Sequence, residues 1–503
     1  MPTIRKALGI SGLMLAGLIL SQSDCDSSTP MANNDLAAAA DMTTTVPPDM
    51  TVLPDMTMFP APTVTSVSPA AGANNATTAL TLTGTGFRAG ATVTVGGQPC
   101  TGVTVTSATT LTCTAPARAA FCGAQDLVVK HPDDGKQGTG VKLFRYRSGT
   151  FGFAATSTTS TVSTGPNEVL AVDLNNDGKL DLVNTNRTGN AVTSLIGGGD
   201  GTFMAFKTFT TGVNPVGLAV GDMNGDGKLD LVTANFGSGA DSISYLAGAG
   251  DGTFAAKVDI TVGGGSFPHG VVLADVNGDK NLDALVALNG AAAVAVRLGN
   301  GSGGFLANPP ANVGVGNNPT FIATGDLDGD GDLDMAVSCP GGNSVHVRLN
   351  NGAGVFSGTT NIAVSANPGK LVLADLDGDG KLDLAVTSQQ NNLVSVYAGS
   401  GNGTFGATAM TTTVGGNPIG LVASDVDGDG KLDLFSANFG TGNATLLLGK
   451  GNGTFNMATG SPFTVGTQPF GAVLADLNND GQPDFATANS GSANLTSRLQ
   501  SCQ

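Results

Sequence analysis

The chain has 503 residues, with 75 Gly, 23 Pro, no Trp and three Tyr, and a formal charge of −17. This acidic balance argues against a surface of clustered Lys and Arg, so nucleic acid is not an expected partner. No long 3.6-residue period appears after residue 40, and the Thr-, Val- and Gly-rich text reads as short strands joined by glycine turns, an all-β chain.

Residues 1–25 open with Arg5 and Lys6, followed by the apolar run ALGISGLMLAGLIL (7–20). A basic start and a short apolar run predict a secretory signal. At about 14 residues the run is too short to span a bilayer comfortably. Cys25 follows closely, and the arrangement resembles a bacterial lipoprotein signal, in which that Cys is acylated. Gln22 and Asp24 stand where that pattern has Leu and a small residue. Ordinary cleavage after Ser21-Gln22-Ser23 is the alternative. Residues 26–60, with VPPDMTVLPDMTMFPAP, read as a Pro-, Thr-, Asp- and Met-rich linker. Such chain extends by roughly 3 Å per residue, a reach of up to ~100 Å.

Residues 61–147 carry APTVTSVSPAAG and then ALTLTGTGF, ATVTVGG, TGVTVTS, TLTCTAP, DLVVKH and VKLFRYR. About seven alternating strands in so short a stretch predict a β-sandwich. Their order resembles the immunoglobulin-like IPT/TIG domain, which implies a spacer or binding module. Cys100 ends one strand and Cys113 lies in another two strand-lengths on, so a disulfide between them is expected. Cys122, Cys339 and Cys502 have no assigned partner.

Residues 148–503 repeat. An acidic nonamer begins at Asp173, Asp222, Asp275, Asp326, Asp375, Asp425 and Asp476, at intervals of 49, 53, 51, 49, 50 and 51. A Pro precedes each nonamer: Pro166, Pro215, Pro268, Pro319, Pro368, Pro418 and Pro469. A Phe opens each unit: Phe151, Phe203, Phe254, Phe305, Phe356, Phe405 and Phe455. The fifth unit parses into the segment after Phe356, then LVLAD (371–375), LDLAVTS (382–388) and LVSVYAG (393–399). Four strands in a period near 50 predict a propeller blade, and seven units predict a seven-bladed β-propeller behind the sandwich. The last unit stops at its fourth mark, so N- and C-terminal strands are expected to close the ring side by side. A WD40 propeller is excluded by the missing Trp.

The nonamers are DLNNDGKLD, DMNGDGKLD, DVNGDKNLD, DLDGDGDLD, DLDGDGKLD, DVDGDGKLD and DLNNDGQPD. Oxygen-bearing side chains recur at positions 1, 3, 5 and 9. These are Asp173, Asn175, Asp177 and Asp181; Asp222, Asn224, Asp226 and Asp230; Asp275, Asn277, Asp279 and Asp283; and Asp326, Asp328, Asp330 and Asp334. The last three sets are Asp375, Asp377, Asp379 and Asp383; Asp425, Asp427, Asp429 and Asp433; and Asp476, Asn478, Asp480 and Asp484. Carboxylates this crowded repel one another unless a cation lies among them. Ca²⁺ takes six to eight oxygens, and positions 1, 3 and 5 with a backbone carbonyl at 7 supply them in one turn. These positions hold 24 of the 39 acidic residues, and seven Ca²⁺ would take −17 to −3. Gly at position 6 permits the positive φ of the bend. Lys280 replaces it in the third loop, where a weaker ion is expected; the seventh loop, with Gln482 and Pro483, keeps its four ligands.

An EF-hand is excluded, since position 12 is Asn184 or Thr233 rather than Glu and the flanks read as strand. The combination of loop and 50-residue blade resembles the FG-GAP, or VCBS, repeats of the integrin α-subunit propeller. The resemblance implies calcium loops that stabilise one face and a ligand that meets the other. On that other face fall NFGSGAD with Phe236, NFGTGNA with Phe439, NRTGN with Arg187, SQQNN with Gln389 and Gln390, and SFPHG with Phe267 and His269. Exposed aromatics beside amides make a candidate binding face.

The three His, at 131, 269 and 346, have no nucleophile turn beside them, and the paired carboxylates belong to the loops, so no enzyme is expected. The expectation is a monomeric, exported calcium-binding propeller for adhesion or ligand binding. It would be secreted or lipid-anchored at a bacterial outer membrane and meet a surface protein or a glycan. A lectin and a structural envelope protein are the alternatives.

Overall fold

A computed structural model describes residues 60–118, 123–147, 152–263 and 265–500. The signal, the linker up to residue 59, Cys25, Phe151, Cys122 and Cys502 lie outside the described residues. Within them the regular structure is β apart from one 3-10 turn, Pro340–Gly342.

The N-terminal unit is a sandwich. One sheet pairs Thr63–Ser68, Thr78–Thr85, Thr110–Ala115 and Thr101–Ser107 in that order. The other holds Ala71–Ala73, Gln137–Arg147, Gly123–Lys130, Thr92–Val95 and Gln98–Pro99. The cause is plain in Thr78–Thr85, where Leu80 and Leu82 point inward while Thr81 and Thr83, which alternate with them, face water. Leu111, Leu127, Val129, Phe144 and Tyr146 complete the core.

Seven sheets follow around a ring. The first runs Pro166–Val172, Asp181–Asn186, Ala191–Leu195 and Lys207–Thr210 from axis to rim. The second strand of every blade is fully buried, because a neighbouring blade covers each of its faces. Branched and leucine side chains therefore fill both faces, as in Leu218, Leu231 and Leu246 against Val183 and Val192. Each such side chain contributes about 1.5–3 kcal/mol.

The repeat in sequence and the blade in space are one strand out of phase. The strand after each Phe belongs to the blade before it: Asn361–Ala363, after Phe356, pairs with Ser344–Asn350. The ring closes by the same offset. Thr158–Thr161 pairs with Asn494–Arg498 and supplies the outer strand of the seventh blade. Phe153 bridges Gln500 as Phe203 bridges Gly197 and Phe254 bridges Gly248. The first aromatic mark is therefore Phe153 rather than Phe151. It packs edge-on against Phe463 and Phe485, at 5.2 and 4.7 Å between centroids.

Candidate metal loops and the opposite face

Each nonamer joins the first strand of a blade to the second. Position 1 folds the loop over itself: both carboxylate oxygens of Asp375 accept backbone N–H groups, from Gly378 at 2.7 Å and Gly380 at 3.0 Å. Positions 3 and 5 each accept the amide two residues on, as Asp377 does from Asp379 and Asp379 from Lys381. Two backbone positions need the left-handed region, not one. Position 6 has φ +84° at Gly380, and position 4 has φ +83° at Gly378. Asn176 and Asn479 take position 4 in the first and seventh loops at φ +59°, a conformation Asn tolerates. Lys280 is forced to φ +71°, as its place in the sequence predicted.

Position 9 has a further role. Asp383 is 1% exposed and accepts Leu376 N–H at 2.9 Å and Gly399 N–H at 2.7 Å. Its six sisters do the same, tying the loop to the end of the blade's third strand. Burial raises all seven carboxyls above their ordinary range: Asp334 to about 6, Asp433 to about 7 and Asp484 to about 8. A neighbouring cation reverses that penalty.

The residues fit a metal ion. Where position 3 is Asp, oxygens of positions 1, 3 and 9 lie within 4.8 Å of one another: Asp326, Asp328 and Asp334; Asp375, Asp377 and Asp383; and Asp425, Asp427 and Asp433. Oxygens sharing a cation at about 2.3–2.6 Å need that closeness. In the sixth loop Oδ1 of Asp425 is buried with no hydrogen-bond partner. Lysines at position 7 answer the position-5 carboxylate from outside, Lys381 to Asp379 and Lys431 to Asp429, both at 3.1 Å.

The other face is formed where each inner strand begins. Its loops carry almost no charge; Arg187 and Asp241 are the exceptions among the described residues. Asp241 is occupied in receiving Ser266 N–H at 2.9 Å. Aromatic rings instead form an arc. Arg187 lies over Phe236 at 5.5 Å, and Phe236 meets Phe267 at 5.9 Å and His269 at 5.5 Å. His269 meets Phe321 at 5.2 Å, Phe321 meets Phe470 at 6.3 Å, and Phe470 meets Phe439 at 6.5 Å. The structure thus unites five sequence candidates: Arg187, Phe236, Phe267, His269 and Phe439. The aromatic members are half-buried rather than fully exposed, because they stack on one another. Gln389 sits apart, bonded to Asn367, and Gln390 is exposed.

Phe321 and Phe470 were missed, although a signal was present for Phe321. Four blades begin Pro-x-Gly (Gly217, Gly270, Gly420 and Gly471), and a Cβ on Gly217 would lie 2.4 Å from the carbonyl oxygen of His269. The glycines let inner strands crowd the axis. Blades one, four and five carry Glu168, Phe321 and Lys370 at that position. Lys370 Nζ reaches Glu168 Oε1 at 2.6 Å across the ring, so side chains close the axial mouth. Beside them Asn167, 3% exposed, leaves Oδ1 without a partner. Burial lowers the His269 imidazole to about 4, so the arc is neutral at this point.

Cys100 and Cys113 pack in the same core as two free thiols, not joined as a disulfide; their mutual interaction lowers Cys100 and raises Cys113. Cys339 is buried in the fourth blade, which pushes its thiol up to about 12.

A ring of seven four- or five-stranded sheets with an acidic loop on each blade defines a β-propeller. The model of the FG-GAP-like repeat matches seven overlapping stretches, 123–184, 173–233, 222–286, 281–337, 329–386, 375–436 and 425–487. The chain belongs to the FG-GAP repeat family, and an IPT/TIG domain precedes the propeller at 62–146. Comparison with curated proteins finds no match. Among solved structures, the chain is similar to BBS1N, solved in complex with ARL6DN (16% identity over 69% of this chain and 96% of that one, TM-score 0.49). It is also similar to a protein from Lactobacillus plantarum (12%, covering 75% and 96%, TM-score 0.46). A third is an auxiliary nutrient binding protein from Bacteroides thetaiotaomicron (12%, covering 88% and 98%, TM-score 0.40).

Proposed function

We propose that this is an exported calcium-binding propeller of the cell surface that binds its ligand on the face opposite the metal loops. The observation that carries the reading is the arc from Arg187 through Phe236, His269, Phe321 and Phe470 to Phe439. Half-buried rings on a face whose few charges, apart from Arg187, are paired or hydrogen-bonded favour a ligand that offers apolar surface. Calcium would be held by the side chains at positions 1, 3, 5 and 9 and would supply cohesion, not chemistry. The reading needs no catalytic residue: it is adhesion or ligand capture by a monomer. The amide-rich loops around the arc also suit a neutral glycan, which makes a lectin the second reading.

The test is binding of the calcium-loaded protein to a glycan array and to surface proteins of intact cells. Binding that is lost in Phe236→Ser and Phe470→Ser, with calcium uptake unchanged, is expected. Binding indifferent to both substitutions, or absent on every surface, would leave an envelope-structural role.

A further inference from the structure

The sandwich does not stand clear of the ring. Its strands Gly123–Lys130 and Gln137–Arg147 meet the metal loops of blades six and seven. A Cβ on Gly123 would lie 2.3 Å from the Asp480 carbonyl oxygen, and one on Gly481 would lie 3.2 Å from the Ala124 nitrogen. Arg145 lies along the sixth loop, its Cδ 2.7 Å from where a Gly428 Cβ would be. Arg145 and Arg147 are two residues apart on one strand and so share a face. The guanidinium of Arg145 follows its stem there, with Nη1 at 3.5 Å and Nε at 3.6 Å from the same point beside the sixth loop.

The seventh loop carries an independent mark of this contact. Blades one, two, five and six place a lysine at position 7, and these side chains are 41–45% exposed. In blade seven the residue is Gln482, only 5% exposed, next to the contact between Gly481 and Ala124. A lysine there would be buried; the amide avoids that cost, and Arg145 brings the missing positive charge from the sandwich. The charges are nevertheless not closed up: Arg147 Nε and Asp425 Oδ1 are both buried without partners.

We propose that the sandwich is a calcium-sensitive cover on loops six and seven. Arg145 and Arg147 compete with the ion for the carboxylates there. Calcium loading therefore loosens the sandwich, and the seated sandwich weakens calcium at two of the seven loops by the same factor. The proposal rests on the calcium reading above. Two cations facing the same partly buried carboxylates repel with little screening, which sets the sign of the linkage.

The experiment is a calorimetric CaCl₂ titration of the chelator-stripped full chain, with hydrogen exchange read at Gly123–Lys130. In Arg145→Gln/Arg147→Gln, two sites should tighten by roughly tenfold, within the usual range for coupled sites. The remaining sites should not change. In the unsubstituted protein, exchange at Gly123–Lys130 should speed up as calcium is added. Gln482→Lys keeps the sandwich sequence intact and should speed that exchange without calcium. Lys142→Gln, on an exposed part of the same strand, should alter neither readout. Identical isotherms with ions bound, weaker binding in the double variant, or slower exchange on loading would overturn the coupling alone. No bound ion in either protein would overturn the calcium reading with it.

Discussion

The buried aspartate at position 9 and the half-exposed one at position 3 occupy the same loop, but hold it by different means. Asp383→Ala removes the acceptor of two buried N–H groups, Leu376 at 2.9 Å and Gly399 at 2.7 Å. Each orphaned donor costs about 1–3 kcal/mol, which sums to about 2–6 kcal/mol without any metal. Asp377→Ala removes only the acceptor of Asp379 N–H, at 3.1 Å in an exposed turn. Water replaces that bond, so the expected cost in chelator is under ~1 kcal/mol. With calcium present both variants should fall further, since each loses a ligand and the linkage term RT ln(1 + [L]/Kd) shrinks. The assay is urea unfolding of both variants with excess chelator and again with excess calcium, compared through the midpoint at constant m. Equal losses for Asp377→Ala and Asp383→Ala in chelator would refute the argument. It would mean that position 9 acts only through the ion.

Three further outcomes are expected. Lys280→Gly relieves a left-handed residue at φ +71°; the gain should be about 0.5–1 kcal/mol after glycine's greater unfolded freedom is subtracted, and an unchanged urea midpoint would count against it. Burial lifts Asp433 to about 7 and Asp484 to about 8, above the roughly 4 of an unfolded aspartate. Their contribution is thus fully present below the unfolded value and lost as pH rises through the folded one. Chelated protein should then be less stable at about pH 8.5 than at about pH 5, and a midpoint that rises over that range would sink the assignment. Glu168→Ala leaves Lys370 unpaired at the mouth and should cost about 1.5–3 kcal/mol, whereas Glu168→Gly with Lys370→Gly restores the glycine of four sister blades. A double variant as unstable as the single one in urea would show that the pair is not what matters.

The period near 50, the seven nonamers and the Pro and Phe marks belong to the linear text, because each blade solves the same local problem with the same residues. That is why the ring, its blade number, its side-by-side closure and the strain at Lys280 were legible from spacing alone. Four things were not. The phase of the blades depends on which neighbour the strand after each Phe pairs with, and hydrogen bonding between Asn361–Ala363 and Ser344–Asn350 decides it. The grip of Asp181 and its sisters on two backbone amides needs a chain segment 16 residues on, Gly197 in the first blade. The aromatic arc and the Glu168–Lys370 contact join residues up to 202 positions apart. Gln482 reads as a mere departure from its repeat until the sandwich is seen against it. A repeat specifies what every blade shares; what differs between blades acquires meaning only when closure of the ring brings distant side chains to one axis, or one domain to one loop.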